Sequence, residues 1–286
     1  MFNDSARPLL LNLLSIAIFF AVTTTSYAQD AASGHTEDTQ PTCSAQDRAC
    51  LIDMIEQSTP EITNTRWRDQ TLREAAKTKA FDRDVDGALA MINTIDSDDT
   101  KAMTIRGIGM VLAFQKQNND LTQEGYDTAF IKLRKTANMI TDPPSYAIAL
   151  TYIAMAQAFA GDNDGAWETA TDMDNDALRH KAYGETAEIQ AEFGDYNAAM
   201  KSIEMIESKA FKNKAYHLTA KIFAKSGRYT EAIGAAQNIN NAYKKAEAIQ
   251  FILDAQKPRD VEKSLKAAIQ KPTTQNPTSQ NKEQTP

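Results

Sequence analysis

Histidine is almost missing from this chain of 286 residues: there are three, and only His180 and His217 lie in stretches with helical periodicity. Neither stands in a motif with a nucleophile, or with thiols and carboxylates at zinc spacing, so triad hydrolysis and zinc chemistry have no sequence signature here. Cysteine is limited to Cys43 and Cys50, which excludes a thiolate cluster and leaves one local pairing. Glycine is sparse as well, with eleven residues, and no Gly-rich phosphate cradle follows a strand. The net charge is −7 and no basic stripe is interleaved with aromatics, so nucleic acid is not an expected partner. Long apolar runs are absent beyond residue 28. The run before it, Leu9 to Val22, has fourteen residues interrupted by Asn12, short of the ~20 that span a bilayer.

What is present at the start is the pattern of a secretory signal over residues 1–28: Arg7, the short apolar run, then Ser26-Tyr27-Ala28. Cleavage after Ala28 predicts a periplasmic or secreted chain without a membrane span; an uncleaved anchor is the alternative. Export also allows Cys43 and Cys50 to form a disulfide. Closing about eight residues stabilises by roughly 2 to 3 kcal/mol in the chain-entropy model, as a local staple. Residues 29–42 are polar and predict a disordered leader. Ser44-Ala45-Gln46-Asp47 reads as a capping box that opens a helix within 43–59, with Leu51, Ile52, Met54 and Ile55 as its apolar face. Thr59-Pro60 ends it.

The centre of the chain repeats itself. Ala154, Ala187 and Ala220 are 33 residues apart, as are Gly161, Gly194 and Gly227, and Ala166, Ala199 and Ala232. Apolar residues at helical spacing surround the first alanine, glycine follows seven later, and the second alanine follows five after that. The pattern predicts helix A, a turn and helix B, with small residues allowing close antiparallel approach and glycine ending helix A. Gly194-Asp195-Tyr196-Asn197-Ala198-Ala199 and Gly227-Arg228-Tyr229-Thr230-Glu231-Ala232 resemble the turn and helix B start of tetratricopeptide repeats. The resemblance covers Trp67 to Gln270, with a period one residue short, no closing proline, and Leu150, Tyr183 and Tyr216 in place of the usual tryptophan. It implies an all-α, right-handed superhelical solenoid of antiparallel helix pairs, about six repeats in 67–270, with a groove lined by the A helices.

Repeat one carries Ala76 and Ala88 at the small positions. Repeat two carries Gly109 and Leu133, so twelve extra residues fall between them; Gln115 to Asp127 contains the insertion, which either lengthens helices or forms a polar loop. Repeats three to five begin near Pro143, Asp176 and Ser208. The sixth is degenerate, with helix A over Ala242 to Gln256, helix B over Asp260 to Gln270, and Leu253 and Leu265 at the small positions. Residues 271–286 predict a disordered tail.

Asp162-Asn163-Asp164-Gly165 invites a calcium loop, but the twelve-residue register puts Ala160 first and Thr171 last where acids are required. Helix capping is the expected role. No metal or cofactor is expected, and the chain is read as non-catalytic. What remains is the groove. In the family's geometry, residues one after and three before the small residue of helix A face it, giving Met110, Arg106, Met155, Thr151, Glu188, His217 and Lys221, with Met103 and Ile148 beside them. The apolar members suit a protein or peptide partner, methionine adapting to varied shapes, although the methionines also suit packing between neighbouring A helices. A helical envelope hydrolase using Glu185 and Glu188 is one alternative. A self-associating envelope protein is another, because residues 201–286 carry 15 Lys plus Arg against 8 Asp plus Glu while the rest is acidic.

Overall fold

A computed structural model describes residues 43–257, and every regular element among them is helical. The predicted signal at 1–28, the leader at 29–42, the last B helix at 260–270 and the tail at 271–286 lie outside the described residues. After α1 (Arg48–Ser58) and a 3-10 turn (Thr59–Glu61), helices alternate between long and, with one exception, short. The long ones are α2 (Thr65–Phe81), α4 (Asp98–Gln117), α6 (Pro143–Phe159), α8 (Asp176–Glu192), α10 (Lys209–Lys225) and α12 (Ala242–Ala255). Between them run α3 (Val85–Ile92), α5 (Gln123–Ala137), α7 (Asn163–Thr171), α9 (Tyr196–Glu204) and α11 (Tyr229–Gln237). Each long helix packs on the next long helix and on the helix that follows it in the chain.

Local chemistry repeats at five of the six long-helix starts; at the remaining one, Ser208 opens α10 without a side-chain cap. Asn64, Ser97, Asp142, Asn175 and Asn241 open long helices, each side chain accepting the backbone N–H three residues on, which satisfies one of the free donors of the first turn. The ends are equally uniform. Arg83, Asn119, Gly161, Gly194 and Gly227 have φ of 70°, 60°, 81°, 78° and 76°. In each case that residue's N–H donates to the carbonyl three back and the next N–H to the carbonyl five back, as with Gly161 to Ala158 and Asp162 to Gln157. This is the Schellman closure, which satisfies the last carbonyls of the helix. Three of the turns use glycine as the sequence suggests. Arg83 and Asn119 hold the same left-handed conformation with a Cβ, which costs most side chains roughly 1 to 2 kcal/mol and asparagine less.

The small positions are where the helices meet. Ala76, Ala154, Ala187 and Ala220, and opposite them Ala88, Ala166, Ala199 and Ala232, have no exposed surface. In α4 a Cβ added to Gly109 would stand 3.1 Å from the Ala156 Cβ of α6 and 3.4 Å from Leu133 Cδ2, so the missing side chain chiefly lets α6 approach, with Leu133 at contact distance on the other side. The twelve extra residues lengthen helices rather than forming a polar loop: relative to the third hairpin, three lie in α4, two in the turn, six in α5 and one in the next connection. Buried glutamines clasp the hairpins, because two helices this close leave side-chain amides no water. Gln157 Oε1 accepts Thr169 Oγ1 at 2.7 Å, and Gln190 Oε1 accepts Ser202 Oγ at 2.6 Å.

At the N-terminal end the outcome differs from the sequence reading in two respects. The cap of α1 is Asp47, accepting from the Cys50 N–H at 3.0 Å, not a box begun at Ser44. Of the expected apolar face only Ile52 is buried, while Leu51, Met54 and Ile55 are exposed, because α1 meets α2 largely through polar contacts. Arg48 pairs with Asp82 at 2.8 Å and Glu56 with Lys79 at 2.8 Å. Cys43 and Cys50 form a disulfide, with Cα atoms 5.7 Å apart.

Candidate functional site

Because the long helices share one ruler, a face can be traced across them by counting from the N-caps. Positions six, ten, thirteen and seventeen lie about 100° to 160° around the helix from the small residue at position twelve, at 100° per residue, and so point away from the paired helix. On α4 they are Met103, Gly107, Met110 and Phe114; on α6 they are Ile148, Tyr152, Met155 and Phe159. On α8 the same positions hold Lys181, Glu185, Glu188 and Glu192, and on α10 Lys214, Leu218, Lys221 and Lys225. None of these side chains is fully buried. An apolar band on two helices therefore gives way to an acidic band and then a basic one.

The apolar band has a defined surface. No residue of α6 is charged. Arg106 lies 5.2 Å over the Tyr152 ring, a cation–π contact that ties α4 to α6. Phe159 meets Phe193 edge to face at 5.4 Å. Met110 and Ile148 pack partly against the core, as do Met200 and Met205 from α9 and its C-cap, while Met103 and Met155 are half-exposed.

The charged bands are arranged otherwise. Glu185 reaches Lys181 on its own helix at 3.6 Å, and among the described residues no ion pair joins the acids of α8 to the lysines of α10. Burial raises the Glu188 carboxyl above the usual glutamate range, and neighbouring Glu185 pushes the same way. Burial raises Glu192 too, with Lys225 opposing. Lys221 sits 4.9 Å over Phe251 of α12.

Position nine lies at the edge of this surface: Arg106 is exposed there, but Thr151 and His217 are not. Thr151 is buried, its hydroxyl donating to Ala147 O at 3.0 Å. His217 is buried too, in the seam between α10 and α12, with Nε2 3.4 Å from Glu247 Oε2 and no hydrogen bond made. Burial lowers its pKa; Glu247 opposes, and Lys221 and Lys244 act with burial. His180 packs on Phe211 with centroids 5.8 Å apart. Of the nine groove residues expected, Met103, Met110, Ile148, Met155, Glu188 and Lys221 fall on one face, Arg106 borders it, and Thr151 and His217 lie beneath it. Tyr152, Phe114 and Phe159 were missed, although counting from the N-caps reaches them all.

Two further features are accounted for by structure. Asp162 Oδ1 caps α7 through the Gly165 N–H at 2.9 Å and Oδ2 accepts the Tyr126 hydroxyl at 3.1 Å; burial first, then this carboxylate, raises the Tyr126 pKa. A shallow hollow between α3 and α5 is lined by Arg83, Asp86, Glu124 and Lys132. Three of these four charges are engaged, Lys132 with Asp86 at 2.7 Å and Arg83 with Asp120 at 3.1 Å. No family model and no curated protein matches the chain.

Proposed function

We propose that the chain is an exported, non-catalytic scaffold that binds another protein or a peptide on the face formed by α4, α6, α8 and α10, as an adaptor or assembly factor. The observation that supports this best is the half-exposed apolar band over α4 and α6, flanked by charges that make no pairs across the helices. Solvent-facing apolar groups aligned over neighbouring helices are what a helix-lined groove offers a ligand. The matching turns, N-caps and small positions support a tetratricopeptide-like solenoid, in which the long helices would line the concave side. Capture of a partner from native envelope extracts tests the proposal. Met103→Ser with Met155→Ser should abolish recovery without altering the helical signal. Undiminished recovery would move the binding site elsewhere.

A second reading, a hydrolase using Glu185 and Glu188, draws on the raised pKa of Glu188, the property wanted in a general acid. Glu188→Gln separates the two, since it would abolish hydrolysis while leaving an apolar contact over α6 in place.

A further inference from the structure

Resting on the binding face just proposed, we infer that its ligand is a linear peptide segment of ordered charge: apolar side chains over α4 and α6, then a basic residue over α8, then an acidic one over α10. The order follows from the bands themselves. Ile148, Tyr152, Met155 and Phe159 present an uncharged surface; one helix on, the same four heights hold Lys181, Glu185, Glu188 and Glu192, and on the next Lys214, Leu218, Lys221 and Lys225. These acids and lysines are close enough to sense one another, Lys214 acting on Glu188 and Lys225 on Glu192, yet no ion pair forms between the two helices among the described residues. Carboxylates left partly dehydrated without a cation are stabilised when a cation arrives.

At the basic end Lys214, Lys221 and Lys225 attract a carboxylate and repel a basic residue. His217 takes no part, because its Nε2 lies beneath the face, 3.4 Å from Glu247 Oε2 in the seam between α10 and α12.

Dimensions set the spacing. Packed helices lie about 8 to 10 Å apart and an extended chain advances about 3.3 Å per residue, so about three residues cross each helix. A segment of about ten residues therefore covers all four helices. The direction of its charges decides whether both bands attract or both repel. Exposed ion pairs each change affinity by up to severalfold, so reversing two of them should change it by about tenfold.

The test uses the full mature chain and fluorescein-labelled decapeptides read by anisotropy. One carries an apolar half followed by lysine and then glutamate three residues apart, a second exchanges the two charges, a third replaces both with serine, and a fourth has a serine half in place of the apolar one. The lysine-then-glutamate peptide should bind about tenfold more tightly than its exchanged form. Exchanging the exposed pair, Glu192→Lys with Lys225→Glu, should shrink that preference severalfold, since Glu185, Glu188, Lys214 and Lys221 remain. Equal affinity for both orders overturns the inference and leaves the apolar face standing as a binding site. Binding insensitive to loss of the apolar half, or failure of all four peptides to bind, overturns the face itself.

Discussion

The hairpin of α4 and α5 and the hairpin of α8 and α9 solve one packing problem with different residues. In the second, Ala187 and Ala199 hold the close positions, both fully buried. In the first, Gly109 and Leu133 hold them, with Leu133 at contact distance from where a Cβ on Gly109 would stand. The crossing therefore does not require alanine at either site. Its position also explains how α4 and α5 tolerate twelve extra residues: the added turns extend past the crossing and leave it in place.

The largest effect should come from emptying the asymmetric crossing. Leu133 is fully buried, and Leu133→Ala removes its bulk opposite a glycine that cannot refill the gap, a loss of roughly 2 to 5 kcal/mol. Adding Gly109→Ala to that variant rebuilds the alanine pair of the other hairpins and should recover part of the loss. Recovery should be incomplete, because the new Cβ also stands 3.1 Å from the Ala156 Cβ. Urea denaturation of the four species as a double-mutant cycle measures this. If Gly109→Ala is no more favourable in the Leu133→Ala background than alone, the two residues do not share a crossing.

Next in size is the opposite disturbance in the symmetric hairpin. Ala187→Leu overfills a site with no exposed surface and should cost roughly 1 to 3 kcal/mol. Because neighbouring hairpins are coupled through their long helices, thermal unfolding should broaden as well. The control lies on the solvent side of α9, where Asn197 is exposed while its neighbour Ala198 is buried. Asn197→Leu should leave the midpoint nearly unchanged. Equal losses for the two variants would mean that α8 and α9 meet in another register.

Much of this architecture could be read in advance because it is set by local spacing. The alanines and glycines recur at fixed distances, and two alanines twelve residues apart around a turn leave few arrangements besides a hairpin. The first two turns hid themselves: Arg83 and Asn119 take the left-handed conformation that elsewhere marks itself with glycine. The proposed face was half legible. Counting from the small residue located Met110, Met155, Glu188 and Lys221 one position on, but position nine lies only about 60° from it, in the seam between long helices. That is where Thr151 and His217 are buried. Contacts such as Arg106 with Tyr152 depend on the relative height of two helices, which local periodicity does not specify.

The smallest effect on the hairpins should come from reducing Cys43 and Cys50. The bond closes a short loop, so in the chain-entropy model roughly 2 to 3 kcal/mol is at stake, and it acts on the opening of α1 alone. That helix buries one apolar residue, Ile52, and its ties to α2 through Arg48 with Asp82 and Glu56 with Lys79 do not involve sulfur. Neither crossing compared above lies within reach of it. Circular dichroism melts with and without a phosphine reductant should therefore agree within about 2 °C, given that 1 kcal/mol shifts the midpoint of a chain this size by about 2 to 4 °C. Trypsin cleavage at Arg48 should accelerate over the same comparison, because the first turn of α1 loses its staple. A fall of the whole helical transition by more than about 5 °C would show that α1 is part of the cooperative unit, and that the Leu133 and Ala187 variants report on a fold held partly from its end.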